Sequence, residues 1–99
     1  MQDSIQAKLK KLSERLSEIE KQLIEESSTL NQVDLISLNK EFSHIQPIVN
    51  LYSKYLKVFD ENMQAISLSK SDENEIKELA QAEVQETEVE MNKILQELK

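Results

Sequence analysis

Residues 38–66 read LNKEFSHIQPIVNLYSKYLKVFDENMQAI, and this stretch decides the fold. From Leu38 the apolar residues fall at Phe42, Ile45, Val49, Tyr52, Leu56, Phe59, Met63 and Ile66, in steps that alternate four and three. That rhythm belongs to a helix with one apolar seam. Pro47 sits in its middle without disturbing it. A loop at the proline would leave the second half free to fall out of phase, yet the phase is kept. The spacing therefore predicts one long helix, kinked at Pro47. Proline has no N–H to give the Ser43 carbonyl, and its ring presses on that carbonyl, at a cost of about 3 kcal/mol. Only tertiary packing offsets such a cost, so the segment belongs to a packed assembly.

Two further helices flank it. Ile5, Leu9, Leu12, Leu16, Ile19 and Leu23 keep a strict four-three rhythm and predict a helix from about Asp3 to Ser27. Asp3 and Gln6 stand at capping-box spacing. Ser27-Ser28-Thr29 is the first break, because short hydroxyl side chains compete for backbone bonds and favour turns. The middle helix then starts near Asn31 or Asp34 and runs to about Ser69. Ser67, Ser69, Lys70 and Ser71 mark the second break. Asp72 and Glu75 suggest a second capping box, which opens a helix whose apolar face is Ile76, Leu79, Ala80, Val84, Thr87, Met91, Ile94 and Leu98. The pattern persists to the residue before Lys99 with no glycine or proline stop. The expectation is one helical domain, residues 1–99, that is an N-terminal fragment of a longer multidomain protein.

The fold class expected is all-α: an elongated antiparallel three-helix bundle or coiled coil with a long middle helix. Short connections make neighbouring helices antiparallel. At ~1.5 Å per residue the middle helix is roughly 57 Å long and the first roughly 37 Å. All three then overlap only around residues 43–57. The four aromatics, Phe42, Tyr52, Tyr55 and Phe59, lie in or beside that window and are expected to fill it.

Composition removes whole classes of function. The 99 residues contain no glycine, no cysteine and one proline. Gly-rich phosphate loops, nucleophile elbows, disulfides and thiolate metal sites are all excluded. No apolar run is long enough to span a bilayer and none follows Met1 as a signal peptide, so a cytoplasmic protein without a membrane role is expected. Residues 1–59 carry eight acids and eight bases, while residues 60–99 carry eleven acids and four bases. The acidic second part argues against nucleic-acid wrapping and direct DNA binding, since each phosphate contact wants a Lys or Arg. The one basic cluster is Lys8, Lys10, Lys11 and Arg15. Either it is a solvated face balanced by Glu14 and Glu18, or it touches RNA or an acidic protein.

No catalytic constellation emerges. Glu41 and His44 have the Glu-x-x-His spacing of di-iron bundles, but such a site needs a second pair and His44 is the single histidine. Glu41–His44 reads as a surface helix pair. Glu86, Glu88 and Glu90 sit on solvated faces, where no shift useful for acid–base work is expected. Neither an enzyme nor a cofactor or metal site is expected in this chain.

The segment Leu38-Asn39-Lys40-Glu41-Phe42-Ser43-His44-Ile45-Gln46-Pro47-Ile48-Val49, followed by Tyr52 and Tyr55, resembles the N-terminal helical domain of bacterial class 1 peptide chain release factors. So do Ser4-Ile5, Lys8-Leu9, Leu12, Arg15, Glu18-Ile19 and Leu23 at the start, and Glu78-Leu79-Ala80 leading into the Leu95–Leu98 helix. The resemblance covers nearly the whole chain. The start at Met1 and the proline look more like the factor that reads UAA and UAG. The resemblance implies a protein of translation termination, whose stop-codon tripeptide and Gly-Gly-Gln hydrolysis loop lie in later domains. It implies that this part is an accessory module that reaches toward the ribosomal stalk base, protein or RNA, and the partner GTPase. Lys8, Lys11 and Arg15 are then the candidate contacts. A stand-alone coiled-coil adaptor or oligomerisation module is the alternative, and an RNA-gripping helical arm is a third reading that the acidic last helix disfavours.

Overall fold

A computed structural model describes residues 3–26 and 28–98. Among them are three α-helices and no strand: α1 Asp3–Glu25, α2 Gln32–Leu68 and α3 Asn74–Leu98. The helix at Pro47 is unbroken. Its boundaries fall where short polar residues offer the backbone other partners. The Asn31 side chain accepts the Asp34 N–H at 2.8 Å and its carbonyl accepts the Leu35 N–H, which makes Asn31 the cap of α2. After α1, the Glu26 carbonyl accepts from both the Thr29 N–H and the Thr29 hydroxyl, each at 3.0 Å. Ser27, in the expected first break, lies outside the described residues. The second break is closed by the Ser69 hydroxyl on the Ile66 carbonyl at 2.6 Å and by the Ser71 N–H on the Leu68 carbonyl. The third helix begins at Asn74, two residues after the expected cap, and the Ser71 hydroxyl accepts the Glu73 N–H at 3.2 Å. No described residue has a positive φ, so these turns need no glycine.

The chain forms two compact units, Met1–Asn50 and Leu51–Lys99. In the first, α1 packs antiparallel on the opening part of α2. Leu16 and Ile19 meet Ile45 and Val49, with Leu12, Leu23, Leu38 and Phe42 half-buried around them. Every one of these positions lies on the expected apolar seams. Ile5 is the exception, exposed at the start of α1.

In the second unit the expected seam on α2 is corrected. The buried residues are Tyr52, Tyr55, Val58, Asn62 and Ala65, while Leu56, Phe59 and Met63 are 41%, 43% and 50% exposed. Each buried position beyond Tyr52 stands one residue before the expected one. A one-residue shift rotates the buried stripe by about 100° on a helix with 3.6 residues per turn. The partner helix decides this. Its buried residues, Ala80, Thr87 and Ile94, include a hydroxyl oxygen free to accept a hydrogen bond and an alanine whose short side chain lets the helices approach closely. Asn62 supplies the donor and Ala65 the matching small side chain. Phe59 is accordingly no core residue; its ring stacks on Tyr55 with centroids 6.2 Å apart.

Two contacts across the hairpin run in the antiparallel order of α2 and α3. Asn62 Nδ2 donates to Thr87 Oγ1 at 2.8 Å, and Lys54 lies 3.7 Å from Glu90. Thr87 Oγ1 is also within reach of its own helix, 2.8 Å from the Glu83 carbonyl. Among the described residues no buried side-chain nitrogen or oxygen lacks a hydrogen-bond partner.

Candidate functional site

Lys8, Lys11 and Arg15 stand on one stripe of α1, since steps of three and four residues return to the same face of a helix. The structure places them differently. Lys8 and Lys11 are exposed. Arg15 is half-buried and turned onto α2, where its Nε donates to Glu41 Oε1 at 2.7 Å and its Nη2 to Glu41 Oε2 at 2.9 Å. Its remaining amine reaches Glu18 Oε2 at 3.3 Å. A planar guanidinium matches a carboxylate in this two-pronged fashion, which lysine cannot do.

The pair holds its own charge state. Hydrogen bonding to Glu41 pushes the Arg15 guanidinium above its ordinary range, more strongly than its partial desolvation lowers it. The same hydrogen bond holds the Glu41 carboxyl below its ordinary value, against a smaller opposing effect of burial. Glu41 is therefore spoken for by Arg15, which corrects the expectation of a Glu41–His44 surface pair. His44 is exposed on the outer side of α2, beside Ile36, Asn39, Lys40 and Ser43 in an open depression. The bond between Arg15 and Glu41 spans 26 positions of sequence, so helix-local spacing gave no sign of it.

Among the described residues no three or more His, Asp or Glu side chains are placed to hold a metal ion. Nor is any described helix long and apolar enough to cross a membrane. Glu86 and Glu88 are exposed and Glu90 faces Lys54. What the first unit offers is a basic stripe on a helix whose third cation also ties that helix to its neighbour.

Comparison with known proteins gives this geometry its context. The family model described as the PCRF domain matches residues 12–99. The chain belongs to the PCRF-domain family. Of the stripe, Arg15 falls inside the matched span of the PCRF domain, while Lys8 and Lys11 precede it. The PCRF domain is also similar to a protein named peptide chain release factor 1 from Chloroherpeton thalassium (strain ATCC 35110 / GB-78), with 37% identity over 92 residues. The alignment takes in 92% of this chain and 26% of that relative, so the chain spans about a quarter of the relative's length. No solved structure matches it. The resemblance to class 1 release factors read from the Leu38–Val49 segment and its flanks is thus supported over nearly the whole chain.

Proposed function

We propose that this PCRF domain is an accessory, non-catalytic module of a cytoplasmic translation termination factor, and that it contacts the ribosomal stalk base or the partner GTPase. The observation that carries the reading is the 37% identity to a peptide chain release factor across 92% of the chain. A chain without glycine cannot carry a Gly-Gly-Gln loop, so peptidyl-tRNA hydrolysis is assigned to other parts of such a factor, as the family resemblance assigns stop-codon reading. Within the family, Pro47 favours the class that reads UAA and UAG.

Lys8 and Lys11 are the proposed contacts toward ribosomal RNA or protein, and Arg15 positions their helix on α2. Two exposed cations confer little affinity by themselves, and salt screens them. Binding by the isolated domain is accordingly weak and salt-sensitive. The test is a full-length factor carrying K8E and K11E, with Arg15 retained so that α1 stays docked. On ribosomes at limiting factor and low salt it should release peptide more slowly, while the rate at saturating factor is unchanged. Release unaffected under those conditions would mean that the lysine stripe is only solvated surface.

A further inference from the structure

The α2–α3 hairpin leaves an apolar groove open beside its turn. Ala65 and Ala80 are buried at its floor, while Leu68, Ile76 and Leu79 stand along it 56%, 38% and 73% exposed. The groove encloses about 350 Å³. Scattered surface leucines are ordinary, but three large aliphatic side chains around one concavity form a contiguous patch. Two alanines opposite one another give the groove its depth, because no longer side chain fills the space above them. Glu61 and Glu83 line the same groove.

The charge around it selects the occupant. Residues 60–83 hold seven acids, Asp60, Glu61, Asp72, Glu73, Glu75, Glu78 and Glu83, against Lys70 and Lys77. Seven minus two leaves a net −5 on this segment, out of −7 for the chain. Such a field repels RNA phosphates and anionic lipid headgroups, and a second copy would bring the same acidic segment to meet it. A basic protein segment is attracted. We propose that the groove binds a basic amphipathic helix of a partner protein. Aliphatic side chains at i, i+3 or i+4 of that helix enter between Leu68, Ile76 and Leu79, and its Lys or Arg residues face Glu61 and Glu83. This assignment stands apart from the lysine stripe on α1 and does not depend on which factor carries the domain.

The experiment is an NMR titration of the ¹⁵N-labelled 99-residue chain with a short designed helix of leucine and lysine, LKKLLKLLKKLLKL. Poly-lysine of equal length and the same helix with glutamate for lysine serve as controls. Shifts should centre on Leu68, Ile76, Leu79 and Ala80, with poly-lysine weaker by about tenfold or more and the glutamate helix silent. L79K, at an already exposed position, should weaken binding about tenfold or more, and so should E61K combined with E83K. V89K, at another exposed apolar position of α3, should bind like the parent. Circular dichroism and the uncrowded amide resonances confirm that each variant stays folded. Equal binding of poly-lysine, equal weakening by V89K and L79K, or shifts centred outside the groove would each overturn the assignment.

Discussion

Asn62 and Thr87 face each other across 2.8 Å inside the α2–α3 hairpin, 5% and 3% exposed, and form the polar pair at the heart of an otherwise apolar contact. The pair fixes register. Sliding α3 by one turn would take the Thr87 hydroxyl away from the Asn62 amide, and a buried polar group left without a partner costs about 1–3 kcal/mol.

Thr87→Val should therefore destabilise the domain by about 1–2 kcal/mol, because it removes the close acceptor of the buried Asn62 amide and leaves it only the Val84 carbonyl at 3.4 Å. Asn62→Leu combined with Thr87→Val should recover most of that loss, since matched apolar groups leave nothing unsatisfied. Urea denaturation of the two single variants and the double variant measures the coupling. A double variant as weak as the sum of its parts would show that the two residues act independently.

The Arg15–Glu41 pair predicts a pH dependence with a definite sign. Glu41 has a folded-state pKa below its ordinary value, so its contribution is complete above the unfolded pKa and is lost as pH falls through the folded one. Wild-type protein should exceed E41Q in stability at neutral pH, and the gap should close in acid, below the ordinary carboxylate range. Because both side chains are more than a third exposed, added salt should narrow the gap at neutral pH as well. Thermal melts of the two proteins across pH and salt decide this. A gap that stays constant into strong acid would place the effect of E41Q in packing and not in charge.

Phe59 and Ile94 separate what sequence pattern suggests from what the fold buries. Phe59→Ala should cost about 1–2.5 kcal/mol, because the loss of its stack on Tyr55 adds to the loss of a ring only partly shielded from water. Ile94→Ala should cost about 2–5 kcal/mol, since that side chain is 2% exposed and its removal leaves a cavity. Chemical denaturation of both variants tests the order. Phe59→Ala as costly as Ile94→Ala would return the ring to the core.

These residues also show how far the sequence could be read. The three helices and both breaks were legible because leucine and isoleucine recur at three and four residues between clusters of serine, and α1 buries Leu9, Leu16 and Ile19 as that rhythm expects. The rhythm failed on the second part of α2, where it favoured the larger residues Leu56, Phe59 and Met63. Packing there is set by shape and hydrogen bonding against Ala80 and Thr87, which a count of apolar residues cannot weigh. That Lys8, Lys11 and Arg15 share one helix face follows from the same three- and four-residue spacing. The pairing of Arg15 with Glu41 was not legible, because the partner is far along the chain and a glutamate on a helix surface looks alike whether it meets water or a guanidinium. The polar pair was half-legible: Thr87 lay on the expected apolar face of α3, but nothing marked Asn62 as its mate.

Pro47 carries the last prediction. It is exposed, within an α2 that runs from Gln32 to Leu68. Replacement by alanine restores an N–H for the Ser43 carbonyl and removes the ring that crowds it, relieving a penalty of about 3 kcal/mol. Against this, the unfolded chain gains freedom when proline is lost, which costs about 0.4–1 kcal/mol. The larger effect wins, and Pro47→Ala should be neutral to stabilising. Equilibrium urea unfolding provides the measurement, with attention to the slope, because a changed slope would signal a change in the surface exposed on unfolding rather than in stability alone. A loss greater than about 1 kcal/mol at unchanged slope would mean that the helix geometry imposed by proline is needed for packing around Ile45 and Val49, and that the ring contributes more to the fold than its missing hydrogen bond removes.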